Sequence, residues 1–232
     1  MNASERLDNA RADVEAGQYE EALRGYIWFH DHALEERRSL YGVRLSYALD
    51  EWVELGRIYP PAMHELKTKR DEKSARLGRG EGDRGLFHDV EAINEYLADY
   101  GSTYDLFVRL MGSNKDLADK CADLAVPAIV KSKDFVLARR MLQDPERSVR
   151  NWSKTLNEDV ADLATGNPPH AEARLGAYIH YYATQVQLIL DVLNGAGEPD
   201  FARKLRADAL AFVESASVMN AVKDALSRPA EM

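Results

Sequence analysis

Apolar residues recur along the chain at steps of three and four, and sustained two-residue alternation is nearly absent, so the pattern predicts helices throughout. The clearest stretch is 169–194, where Leu175, Tyr178, Ile179, Tyr182, Val186, Ile189, Leu190 and Leu193 line one helix face. A second runs from Val149 through Trp152, Leu156 and Val160 to Leu163, with Pro145 before it and Gly166, Pro168 and Pro169 after it as breakers. Read this way, the chain divides into helices near 4–16, 19–37, 42–57, 61–77, 86–99, 102–112, 115–131, 134–143, 146–165, 169–194, 198–214 and 216–227. The expected fold is all-α. Short links between helices make neighbours antiparallel, as in a bundle or a solenoid.

A repeat separates those two architectures. In residues 17–29, Gly17 falls at a turn, Tyr19 follows two positions on, Ala22 three after that, and Tyr26 four further. Glycine permits a tight interhelix turn, the aromatic ring plugs the helix pair, and the small alanine lets two helices approach closely. Related spacing recurs at Gly56, Ile58 and Pro61, at Gly85, Phe87 and Val90, and at Lys133, Phe135, Ala138 and Leu142. The stretch resembles the turn and second helix of a tetratricopeptide repeat, most closely over residues 4–38. That resemblance implies a right-handed solenoid of antiparallel helix pairs. The helix at 169–194 is longer than a helix of such a repeat, so the expected organisation is tetratricopeptide-like repeats over 1–143 and a C-terminal helical bundle or cap over 144–232.

Charge narrows the partners. A formal net charge of −9 and a pI of 5.2 argue against broad nucleic-acid affinity, which grows from phosphate neutralisation by Lys and Arg. No run approaches the length of a membrane span, and the polar start MNASERLDNARADVEAG lacks a secretory apolar region, so a cytoplasmic location is expected. Cys121, the only cysteine, lies on an apolar stripe with Leu117, Leu124 and Ala125 and reads as packing.

Candidate chemistry concentrates in Trp28-Phe29-His30-Asp31-His32, followed by Glu35 and Glu36. His32 and Glu36 stand one helical turn apart and can share a metal, yet two ligands do not close a site. Helical register places Tyr26, Phe29 and His30 toward the core and Trp28, Asp31 and Glu35 away from it. An alternative uses the His30-Asp31 and His88-Asp89 dipeptides with His64 and Asp123, which resemble the metal ligands of the all-helical phosphohydrolases of the HD superfamily and imply a metal-dependent hydrolase. Gly80 to Gly85 match GxGxxG, but they follow a helix instead of a strand and include two acids that repel phosphate. Lys67, Lys69, Arg70, Lys73, Arg76 and Arg79 form a basic cluster whose Glu65–Lys69 and Glu72–Arg76 spacings predict intrahelical pairs on a solvated face. On the long helix, Tyr178 and Tyr182 join the apolar stripe while His180 and Tyr181 fall to its side. No Ser/His/Asp order, Cys/His pair or phosphate-binding lysine loop appears, so nucleophilic catalysis has no support and no cofactor is expected.

The function expected is therefore non-enzymatic: a helical-repeat protein that binds a partner protein or peptide, with self-association as a further possibility. The resemblance implies that the face of successive first helices does the binding. Residue by residue, that face comprises Arg11, Val14 and Glu15 from the first unit and Tyr47, Asp50 and Glu54 from the second.

Overall fold

The computed structural model describes residues 1–166 and 168–227, and all its regular structure is helical. The helices are α1 (Ala3–Glu15), α2 (Tyr19–Glu36), α3 (Tyr41–Leu45), α4 (Tyr47–Ile58), α5 (Pro60–Gly78), α6 (Arg84–Tyr96), α7 (Tyr100–Ser113), α8 (Lys115–Lys131), α9 (Phe135–Met141), α10 (Pro145–Gly166), α11 (Ala171–Gly195), α12 (Pro199–Ala211) and α13 (Ala216–Ala225). Starts follow local chemistry. The Asn2 side chain accepts from the Glu5 amide while the Glu5 carboxylate accepts from the Asn2 amide, and Asp83, Asp99 and Asp134 cap α6, α7 and α9 in the same sense. Pro60 and Pro199 open α5 and α12, where a missing N–H is harmless.

The helix expected over 42–57 is in fact two. It breaks at Ser46 (φ −123°, ψ −97°), whose hydroxyl donates to the Gly42 carbonyl at 2.8 Å. Thr68 and Ser153 make the same hydroxyl-to-carbonyl bond four residues back inside unbroken helices, so that bond does not itself end α3, and neither Gly nor Pro marks the place.

One turn recurs. Gly17, Ala98, Lys133 and Gly197 all have positive φ, each amide donates three residues back, and the next amide donates five residues back; Gly80 makes the same turn without a buried side chain five positions on. This is the left-handed helix terminator in which orphan carbonyls are satisfied by the turn itself. Five residues after each of the other four comes a small side chain in the following helix, respectively Ala22, Thr103, Ala138 and Ala202, and every one is buried. The sequence pattern identified the turns at Gly17 and Lys133 but missed Ala98 and Gly197. Its other two positions are corrected: Gly56 lies inside α4 against Met63, and Gly85 lies in the first turn of α6.

The chain divides into two compact units, Met1–Ala128 and Ile129–Met232, with the division inside α8. Of the 144–232 segment, 167 and 228–232 lie outside the described residues. In the first unit, α1 packs on α2, α2 on α4, α4 on α5 and α6, α5 on α6 and α7, and α6 on α7. Its core includes Leu7, Tyr26, Phe29, Leu49, Trp52, Leu66 and Ile93. Gly25 of α2 passes closely over Ala10 of α1, where a Cβ on Gly25 would sit 2.7 Å from the Ala10 methyl. In the second unit α11 is central, with α9, α10, α12 and α13 all packed on it. Buried Tyr182 donates to the Ala209 carbonyl at 2.8 Å and lies 2.7 Å from the Ser153 hydroxyl, whereas Tyr181 is exposed. Cys121 is fully buried, and burial pushes its thiol up to about 11. Among the described residues no helix is long and apolar enough to cross a membrane.

Candidate functional site

Helical spacing sets Tyr47, Asp50 and Glu54 along one side of α4, and all of them are exposed while Leu49, Trp52, Val53 and Leu55 go to the core. Tyr47 is the outlier, a large aromatic ring left 68% accessible. Glu51 shares that side and accepts from the Arg11 guanidinium, Nε to Oε1 at 2.9 Å, so α1 is tied to α4 at this face. Arg11 also pairs with Asp8 at 2.9 Å, and Glu15, one turn beyond Arg11, is exposed. Of the predicted face, Arg11 is joined to α4 through Glu51, and Glu54 is paired with Arg57 within α4, whereas Glu15, Tyr47 and Asp50 are exposed on their own helices. Val14 is half-buried against the core.

The face extends onto α6, which sequence pattern did not assign to it. Tyr96 is half-buried against the core of the first unit, and Glu95 beside it is exposed. The Tyr96 phenol is raised by burial first, and then by the charges of Asp50 and Glu95 and by Tyr47, and α4 packs on α6. Acid and tyrosine therefore alternate across the α4/α6 surface. What could have signalled Glu95 and Tyr96 is their place just before the recurrent turn at Ala98, the position equivalent to the end of α1.

A second constellation lies inside the same unit. Arg44 of α3 and Asp89 of α6 form an ion pair whose side chains are 5% and 8% exposed. The Arg44 Nη1 also donates to Asp89 Oδ2 at 3.1 Å and to the His30 carbonyl at 3.3 Å, and Lys73 Nζ donates to Asp89 Oδ2 at 2.6 Å. Desolvation opposes ionisation of Asp89, but the two cations hold its carboxyl below the ordinary range. His30 has the opposite fate: burial, then Lys73 and Arg44, push it down to about 3, so it is neutral. Its Nδ1 and the Arg44 Nε are buried without a hydrogen-bond partner. A shallow cleft of about 330 Å³ lies beside the pair, lined by Tyr41, Arg44, Arg76, Asp83 and Asp89 among others. Next to it the Tyr41 hydroxyl lies 2.7 Å from His88 Nδ1, and His88 Nε2 lies 3.9 Å from Glu91. Burial, then Glu95 and Asp123, push the Glu91 carboxyl up to about 8.

These contacts reassign the candidate metal ligands and the basic helix. Both oxygens of Asp89 accept from Arg44 or Lys73, and both oxygens of Asp123 accept from Arg84. His64 is exposed on α5, and the His32 ring stacks on Trp28 with its Nδ1 3.0 Å from the Trp28 carbonyl. Among the described residues no three of His, Cys, Asp and Glu converge as a metal site. The basic cluster on α5 is not the solvated, self-paired face that its spacing predicted. Lys69 reaches Asp31 at 2.6 Å, Arg70 reaches Asp99 at 2.7 Å and Asn94 at 2.9 Å, and Lys73 reaches Asp89, so its cations tie α5 to α2 and α6. Tertiary partners at better geometry outcompete intrahelical pairs worth only a few tenths of a kcal/mol, about 0.2–0.5.

No family model matches the chain, and no curated protein or solved structure proves similar to it.

Proposed function

We propose that the protein is a non-enzymatic helical-repeat module that binds a partner protein or peptide on the face shared by α1, α4 and α6. The observation that carries this reading is Tyr47, a mostly exposed aromatic ring at the start of α4, one helical turn from the exposed Asp50. Aromatic side chains in such positions supply much of the energy of protein interfaces. The repeat reading has support from packing as well. In the first unit, α4 to α7 contact their neighbours and next-neighbours as a stack of helix pairs would, and the turn with its buried small residue recurs at Gly17, Ala98, Lys133 and Gly197.

The test is affinity capture from the native cell with the wild-type chain and with Tyr47→Ala/Asp50→Arg. Both positions are exposed, so helicity and melting should stay as in the wild type while the captured partner is lost. A folded double variant that retains every partner rules out this face.

A further inference from the structure

Resting on the partner-binding reading, we infer that the α4/α6 face receives a basic peptide segment, one whose Arg or Lys side chain lies against Tyr47 and Tyr96 and pairs with Asp50 and Glu95. The chemistry of the surface selects this occupant over an acidic or a purely apolar one. Asp50 and Glu95 are exposed carboxylates with no ion pair among the described residues, in contrast to Glu51 and Glu54, which Arg11 and Arg57 neutralise. Two unneutralised acids beside two phenol rings give a negative surface with π-faces, which is the complement of a guanidinium or ammonium group. An acidic segment would meet like charge here, and an apolar one would strip water from carboxylates with nothing to replace it.

Geometry agrees with the electrostatics. Tyr47 and Asp50 stand one helical turn apart on α4, Glu95 and Tyr96 are adjacent on α6, and α4 packs directly on α6, so the groups border one surface. The rings differ in a way that suits recognition. Tyr96 is anchored in the core and offers a fixed edge, while Tyr47 is free to lie over an incoming side chain. The cations on this side of α1 and α4, Arg11 and Arg57, are paired with Glu51 and Glu54.

The experiment titrates the full chain with a fluorescein-labelled twelve-residue Gly/Ser peptide carrying arginine at alternate positions, and with its glutamine and glutamate counterparts, by anisotropy. The arginine peptide should bind alone of the set, and its affinity should fall at least tenfold between low and moderate salt. Tyr47→Ala and Asp50→Asn/Glu95→Gln should each weaken it by about tenfold or more, while Glu172→Gln/Asp200→Asn, exposed acids of the second unit, should leave it unchanged. Equal binding to all variants would show only general attraction to an acidic protein and would overturn the inference. So would absence of binding at low salt. The two proposals fail separately: a partner lost with Tyr47→Ala/Asp50→Arg that the arginine peptide does not displace preserves the binding face and refutes the basic segment.

Discussion

Gly25 and Ala10 face each other across the α1/α2 crossing with no room for a methyl group between them, since a Cβ on Gly25 would lie 2.7 Å from that of Ala10. The sequence pattern gave the small-residue role in this crossing to Ala22 alone. Ala22 is indeed fully buried, but the closest approach lies three residues further along α2.

Gly25→Ala should therefore destabilise the fold by about 1–3 kcal/mol through overpacking, although alanine is the better helix former by ~1 kcal/mol. Removing the opposing methyl in Gly25→Ala/Ala10→Gly should recover part of the loss. Urea unfolding of both variants decides the matter; a Gly25→Ala variant as stable as the wild type would mean that the helices separate without cost.

Gly17→Ala isolates backbone strain from packing. Gly17 has φ +74° and nothing within 4 Å of its missing Cβ, so the expected loss of about 1–2 kcal/mol comes from the left-handed conformation alone. Gly42→Ala supplies the contrast, because Gly42 has the same empty surroundings without a positive φ and should lose nothing.

Asp89→Asn should cost about 3–5 kcal/mol, since it leaves Arg44 and Lys73 without their shared carboxylate in a site where Arg44 is buried. The carboxyl is depressed below its ordinary 3.8, so its contribution is complete above that value and vanishes as pH falls through the lower, folded value. In Asp89→Asn the acid limb of a stability-versus-pH curve should be shallower.

His30→Gln tests a different limb of that curve. His30 is pushed from 6.5 down to about 3 in the folded protein, so below pH 6.5 the unfolded chain gains a proton that the fold refuses. Wild-type stability should decline as pH drops from 6.5 toward 3, and the glutamine variant, which does not titrate, should lack that part of the decline.

Glu91→Gln should act in the reverse direction. Burial raises Glu91 from 4.5 to about 8, so the folded chain holds a proton that the unfolded chain releases, and stability falls as pH rises between those values. The glutamine variant should be more stable than the wild type at pH 8 to 9, as read by thermal melting; no gain there would mean that Glu91 ionises without penalty.

Helices were legible because they depend on local periodicity. The expected 19–37, 61–77 and 115–131 lie within two residues of α2, α5 and α8. The break at Ser46 was not legible, because serine is tolerated inside helices and only tertiary burial of Arg44 and Leu45 on one side, and Ala48 and Leu49 on the other, decides the path. Turns were legible where an aromatic and an alanine follow two and five residues on, as after Gly17 and Lys133, and illegible where one of the two is replaced, by Thr103 after Ala98 and by Pro199 after Gly197. Of the candidate face, the α4 residues follow from helical spacing, whereas Glu95 and Tyr96 join it through packing of α6 on α4, which no local pattern encodes. The Arg44 to Asp89 pair was invisible for the same reason.

That ion pair spans 45 positions, and it bears on the order in which the chain acquires structure as it is synthesised. A stack of independent helix pairs can grow one pair at a time, each stable on the last. Here a nascent chain ending before residue 89 lacks both the carboxylate that Arg44 meets and α6, which packs on α3, α4 and α5, so α1 to α5 stay without that closing layer until α6 emerges. The first unit should thus mature in a single late step, with its N-terminal helices held open on the ribosome, and truncations that end between α5 and α6 should yield chains prone to proteolysis instead of shorter stable proteins.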